Sequence, residues 1–195
     1  MKESQRQIQK RETRKKIIYS AYEEFKNKGI IKTTTSDIAK AAGVSHGTIF
    51  AHFKTQGELV KEVIEVFCTK IVMNTHLASK KAYTVKEVLS AHLEGIKEFE
   101  EFYGRLILEI NFLEKEEKST FISIQSSLSK HLSEALEIEV EAESIKKLPL
   151  SFIFNSWIGL VNYYIVNREL FSPGKSVIDT HKEELINNFI ELIKK

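Results

Sequence analysis

Residues 34–59 read TTSDIAKAAGVSHGTIFAHFKTQGEL, and the meaning of the remaining chain depends on them. Thr34-Thr35-Ser36-Asp37 is a Ser/Thr-x-x-acid pattern, in which side chains satisfy the free N–H groups of a helix start. The helix that follows carries Ile38, Ala39 and Ala42 and stops at Gly43. Gly43-Val44-Ser45 makes a short turn, and a second brief helix is predicted from about His46 to Phe53. Ala39, Ala42 and Gly43 are small enough for two helices to cross closely, while Ile38, Val44, Ile49 and Phe53 supply a core between them. Two short helices joined by a glycine-containing turn form a helix-turn-helix, whose second helix fits a major groove about 12 Å wide.

The polar residues of this stretch fall where such a motif meets DNA. Thr34, Thr35 and Ser36 place hydroxyls and open N–H groups at a helix N-terminus, a ready anchor for phosphate. Ser45, His46, Gly47 and Thr48 crowd the start of the second helix, where base edges are reached. Lys54 follows as a phosphate contact. Helix-turn-helix geometry also occurs in proteins that bind no DNA. A helical interaction or scaffold protein with weak or lost DNA binding is therefore the alternative reading.

On the N-terminal side, Ile17, Ile18, Ala21, Tyr22 and Phe25 recur at three and four residues. They predict a supporting helix from about Ile8 to Lys28, preceded by a short polar arm and closed by Gly29. On the C-terminal side a long helix is expected from about Glu58 to Lys80. Thr84 with Glu87 opens another toward Tyr103, and two more cover about Gly104–Glu116 and Ser119–Glu139. Pro149 begins a strongly apolar helix to about Leu170, and Ser176 with Asp179 caps a last one to Lys195. With two prolines and eight glycines among 195 residues, breakers are scarce, and the expected class is all-α with about nine helices.

Charge divides the chain unevenly. Residues 1–56 hold 12 Lys/Arg against 5 Asp/Glu, and the remainder holds 17 against 22. A basic head on an acidic body is the footprint of a nucleic-acid reader, although solvated helix faces also collect charge. Arg11, Arg14 and Lys15 fit either description. No apolar run approaches a membrane span and no secretory leader is visible, so a cytoplasmic location away from membranes is expected. The single cysteine, Cys68, has no disulfide partner in the chain, and the six histidines are scattered. No nucleophile–base pair, carboxylate pair, metal-ligand spacing or Gly-rich phosphate loop stands out. Neither an enzyme nor a cofactor or metal site is expected.

The stretch resembles the N-terminal domain of the TetR family of bacterial regulators. Asp37-Ile38-Ala39, Ala42-Gly43-Val44-Ser45, Gly47-Thr48-Ile49-Phe50 and His52-Phe53 follow its pattern in one ungapped run, with Glu58-Leu59 opening the fourth helix. The likeness covers about residues 10 to 65; beyond it, only the general plan is shared. It implies a DNA-binding domain at 1–56 and a helical effector-binding and dimerisation domain at 57–195. It implies a ligand-responsive repressor, a homodimer through the two C-terminal helices, bound to a palindromic operator. The family usually has tyrosine where this chain has Phe50 and lysine where it has Gln56. Both changes remove a phosphate contact, which implies a weaker or less salt-dependent grip. A histidine at His52 braces the reading helix in this pattern, with direct DNA contact as the alternative. The resemblance also implies an effector pocket in the body. Phe99, Phe102, Tyr103, Phe121, Trp157 and Tyr163 are its candidate lining, and a small apolar or aromatic molecule its expected occupant. Leu185, Ile186, Phe189, Ile190 and Ile193 on the last helix, with the apolar segment from Leu150 to Ile165, are the candidate dimer surface; burial within one chain is the alternative.

Overall fold

The computed structural model describes residues 4–79 and 84–195. Among them lie ten α-helices, one three-residue 3-10 turn and no strand. The head consists of α1 (Gln5–Lys28), α2 (Thr35–Ala42) and α3 (His46–His52). The body follows as α4 (Gln56–Ser79), α5 (Val85–Lys97), α6 (Glu100–Glu109), the 3-10 turn Ile110–Phe112, α7 (Lys115–Glu141), α8 (Leu150–Val166), α9 (Arg168–Phe171) and α10 (Val177–Ile193). Lys80, the expected end of the long helix, lies outside the described residues.

The helices expected over Gly104–Glu116 and Ser119–Glu139 are instead α6, which ends at Glu109, the 3-10 turn and α7, which already starts at Lys115. Three further boundaries differ from the sequence expectation, each for a local reason. The polar arm is already helical from Gln5, because Ser4 caps it and Gln7 reaches back to the Ser4 N–H. The helix expected to reach Tyr103 breaks instead after Lys97. Phe99 turns out of helical geometry there, and the chain restarts as α6. Near Leu170 a separate single turn, α9, follows Asn167, whose side chain donates to the Tyr163 carbonyl.

Packing joins head and body into one core. The buried face of α1, with Ile17, Ile18, Ala21, Tyr22 and Phe25, presses on α4 and α6. Tyr22 stacks on Phe67 of α4 at 3.8 Å between ring centres and touches Phe102 of α6 at 5.1 Å. The buried side chains form one cluster running from Ile17 to Ile193. The expected boundary at residues 56 and 57 thus falls at the start of a helix whose inner face is continuous with both parts.

Two buried polar arrangements set the body. Glu100, 5% exposed, accepts from the Ser176 hydroxyl at 2.6 Å and from the N–H groups of Val177 and Ile178 at 2.8 and 3.2 Å. A carboxylate of α6 thereby caps the N-terminus of α10, where charge and helix dipole agree. On α5, buried His92 accepts from Trp157 Nε1 at 3.1 Å through Nδ1, so the neutral ring carries its proton on Nε2. Trp157 in turn meets Phe189 of α10 edge-on at 5.1 Å.

Replacing Glu100 by alanine strips three donors of their acceptor, and denaturant unfolding should show a loss of about 2–4 kcal/mol. Burial lowers the His92 pKa from 6.5 to about 4. Between those values the unfolded chain binds a proton that the folded chain refuses. This contribution is therefore complete above pH 6.5 and is lost as pH falls toward 4. A pH series of unfolding midpoints should fall across that window in the parent chain, and less steeply in His92→Gln.

Candidate nucleic-acid interface

The geometry of the head starts from three caps. The Thr34 hydroxyl accepts from the Asp37 N–H, and the Asp37 carboxylate accepts back from the Thr34 N–H at 3.0 Å. The Thr34 hydroxyl also donates to that carboxylate at 2.6 Å, and this bond, followed by the Thr34 N–H, holds the half-exposed Asp37 carboxyl down at about 2. Gly43 ends α2 at φ 60, ψ 39, the left-handed conformation that lets the chain turn back without strain. Ser45 then caps α3 by accepting from the Thr48 N–H at 3.1 Å.

Ile38, Ala39, Ala42, Ile49 and Phe53 are buried beneath this turn, and Val44 packs at its edge. The opposite face carries most of the residues singled out from the sequence. Thr34, Ser36, Ser45, His46, Gly47, Phe50 and Lys54 are exposed, and Thr35 and Thr48 are half-buried. Thr35 Oγ1 and His46 Nε2 lie 2.9 Å apart, bridging the start of α2 to the start of α3. The Ser45 and Thr48 hydroxyls lie 2.8 Å apart. Phe50 is 45% exposed and meets His46 edge-on at 5.0 Å. The Lys54 N–H donates to Glu58 of α4 at 2.8 Å.

His52 stands apart from that face. It is half-buried, its Nδ1 is enclosed, and burial followed by the nearby Arg14 and Lys10 charges lowers its pKa. Arg14 is likewise turned inward. Its guanidinium donates to the His52 carbonyl and to both Glu62 carboxylate oxygens, and lies over the Phe53 ring at 4.1 Å from its centre. Lys15 pairs with Glu12 at 3.2 Å. Gln56 also has a structural partner, donating to the Thr33 carbonyl at 2.8 Å. Sequence reasoning missed the Arg14–Glu62 and Gln56–Thr33 braces. The first spans 48 residues and the second 23, so no local periodicity announces either.

The candidate effector residues do not converge. Tyr103 and Phe121 line a small cavity of about 30 Å³ together with Cys68, Ile71, His92 and Gln125. Burial pushes the Cys68 thiol up to about 12 and raises the Tyr103 phenol. Phe99 and Phe102 instead join the aromatic packing of Tyr22 and Phe67. Trp157 fills the core against Phe189, and Tyr163 is 56% exposed beside Phe171. The cavity has room for about two waters, far below the several hundred Å³ of a drug-sized pocket.

The candidate dimer surface is similarly redistributed. Leu185, Ile186, Phe189 and Ile193 of α10 are buried within the chain, leaving Ile190 at the margin. On α8 an outward stripe remains: Phe152, Asn155, Gly159 and Tyr163, with Phe152 55% exposed.

The model of the family described as bacterial regulatory proteins, tetR family, matches residues 17–63. The head is a TetR-family head. TtgR of Pseudomonas putida, an HTH-type transcriptional regulator, is 43% identical over 54 residues, 28% of this chain. That match spans only 26% of TtgR's own length. IcaR of Staphylococcus aureus, negative regulator of the biofilm operon icaADBC, is 24% identical over 152 residues, covering 73% of this chain and 80% of IcaR. The fold extends further than the sequence likeness. FadR of Bacillus subtilis, solved with stearoyl-CoA, superposes over 91% of this chain and 98% of its own at TM-score 0.72 and 18% identity. In this chain's TetR-type head, Gly47 has ample space: an added Cβ would meet only Ser45 Oγ, at 3.8 Å. Gly47→Ala should leave the folded chain as stable or up to about 1 kcal/mol more so by thermal unfolding. Duplex DNA binding, measured by fluorescence anisotropy, should nevertheless fall, because the new methyl group stands on the exposed edge of α3.

Proposed function

We propose that this protein is a DNA-binding transcriptional regulator, a repressor acting as a homodimer on a palindromic operator. The observation that carries the reading is the head: α3 rests on buried Ile49 and Phe53 and presents Ser45, His46, Gly47 and Thr48 outward, beside the open end of α2. Thr34, Thr35, Ser36 and Lys54 flank that edge and serve as phosphate contacts, while Ser45, His46 and Thr48 reach bases. Phe50 stacks against sugar, and His52 and Gln56 brace the helix. One such head touches too little DNA for tight specific binding, which favours a dimer on half-sites about 34–36 Å apart.

The dimer surface is assigned to the α8 stripe from Phe152 to Tyr163, together with the exposed Leu192 of α10, since most of the α10 apolar face is already covered. The effector, a small apolar molecule, enters the cavity at Tyr103 and Phe121. It must widen that cavity, and the response is a shift toward a conformation with different head spacing.

The test is selection of random duplex DNA on the purified chain at physiological salt. A recovered palindrome supports the reading; no enrichment from a folded, dimeric chain overturns it in favour of a scaffold protein. Within a selected site, Thr48→Ala should relax preference at one base position. Lys54→Ala should weaken all duplexes alike and lower the salt slope by about one.

A further inference from the structure

Outside the head and the cavity, two of the chain's six histidines meet. His76, near the end of α4, and His131, on α7, bring Nδ1 and Nε2 to 3.3 Å, with ring centres 5.3 Å apart. The helices come from points 55 residues apart in the chain. Glu134, one turn after His131, places Oε2 at 4.0 Å from His131 Nδ1 and is itself 4.0 Å from the Lys130 ammonium.

We propose that His76 and His131 form a binding site for a zinc ion, clipping α4 to α7. The argument is geometric. Zinc–imidazole bonds of about 2.0–2.1 Å at a tetrahedral angle put two ligand nitrogens about 3.3 Å apart, whereas a right-angled site would need about 2.9 Å. The observed 3.3 Å matches the tetrahedral value, and in the ion-free chain the same spacing lets one ring donate a hydrogen bond to the other. The Glu134 carboxylate lies on the Nδ1 side of His131, 4.0 Å away, where it can take up that N–H once Nε2 carries an ion. His76 is exposed and the His131 side chain is 20% exposed, so an ion and its completing waters have access. No group of three metal-ligating side chains occurs among the described residues, so the site has two protein ligands, fewer than a closed structural or a catalytic zinc site, and water fills the remaining positions.

The experiment is calorimetric titration of the tag-free full chain with Zn²⁺ alone, repeated with Co²⁺, whose visible spectrum reports tetrahedral coordination. One ion per chain is expected, with a tetrahedral cobalt spectrum. His76→Gln and His131→Gln should each abolish that phase, and Glu134→Gln should weaken it about tenfold. Metal-free thermal unfolding verifies that each variant is folded, and the partial exposure of both rings makes that outcome expected. Failure of the parent chain to bind one ion, an octahedral cobalt spectrum, or binding that survives in both histidine variants overturns the site. DNA enters none of these measurements, so they stand apart from the regulator reading.

Discussion

Arg14 fixes the geometry of the head more than any other single group. It lies on α1, yet all three nitrogens of its guanidinium donate elsewhere: to the last carbonyl of α3 and to the carboxylate of Glu62 on α4. The flat face of the same group covers Phe53, the residue through which α3 leaves the core. A planar fork can do this where an ammonium could not, because bidentate pairing and ring stacking use different faces of one cation. With His52 half-buried beside it, the C-terminal end of α3 is held against α1 and α4, and its N-terminal end is free to meet something else. At about one-third side-chain exposure, the value of Arg14 lies in orientation more than in stability.

That orientation is transmitted by aromatic packing. Tyr22 of α1 lies flat on Phe67 of α4, and both touch Phe99 and Phe102 at the break between α5 and α6. The break in the helical run, which the sequence pattern smooths over, is what drives two phenylalanines into this joint. Behind it, α6 ends in Glu109, whose carboxylate accepts from the Ile31 N–H at 2.8 Å just after α1, and begins with Glu100 under α10. One short helix thus touches the head at its C-terminal end and the last helix at its start. Tyr103 lies on this helix, between the two contacts.

The head was legible because its determinants are local. Caps at Thr34 and Ser45, the left-handed Gly43 and the alternation of Ile38, Ile49 and Phe53 all act within a few residues. The body was legible as helices but not as faces. Trp157 and Tyr163 are both apolar positions of one helix, yet one is fully buried and the other 56% exposed. Helical spacing alone does not say which side of an almost wholly apolar helix meets its own chain. The same ambiguity sent the α10 stripe to an intersubunit surface when most of it is internal. Long-range pairs such as His76 with His131, or Gln56 with Thr33, leave no trace in periodicity at all.

The positive charge of the head also needs sorting before it can be read. Arg14, Lys15, Lys26 and Lys28 are committed to carboxylates of α1, α2 and α4. Lys10, Lys16, Lys32, Lys40 and Lys54 are exposed and make no ion pair among the described residues. Lys16 brings its ammonium close to Gly43, beside the turn that separates α2 from α3. On the proposed reading, Lys16 and Lys54 stand near the two ends of α3, and the basic surplus of the first 56 residues narrows, among the described residues, to these five lysines and the exposed Arg6. On that reading they are the cations available to replace the contacts that Phe50 and Gln56 lack. A phosphate held by an ammonium contributes to counterion release whichever helix carries it, so loss of one hydroxyl and one lysine need not abolish the grip.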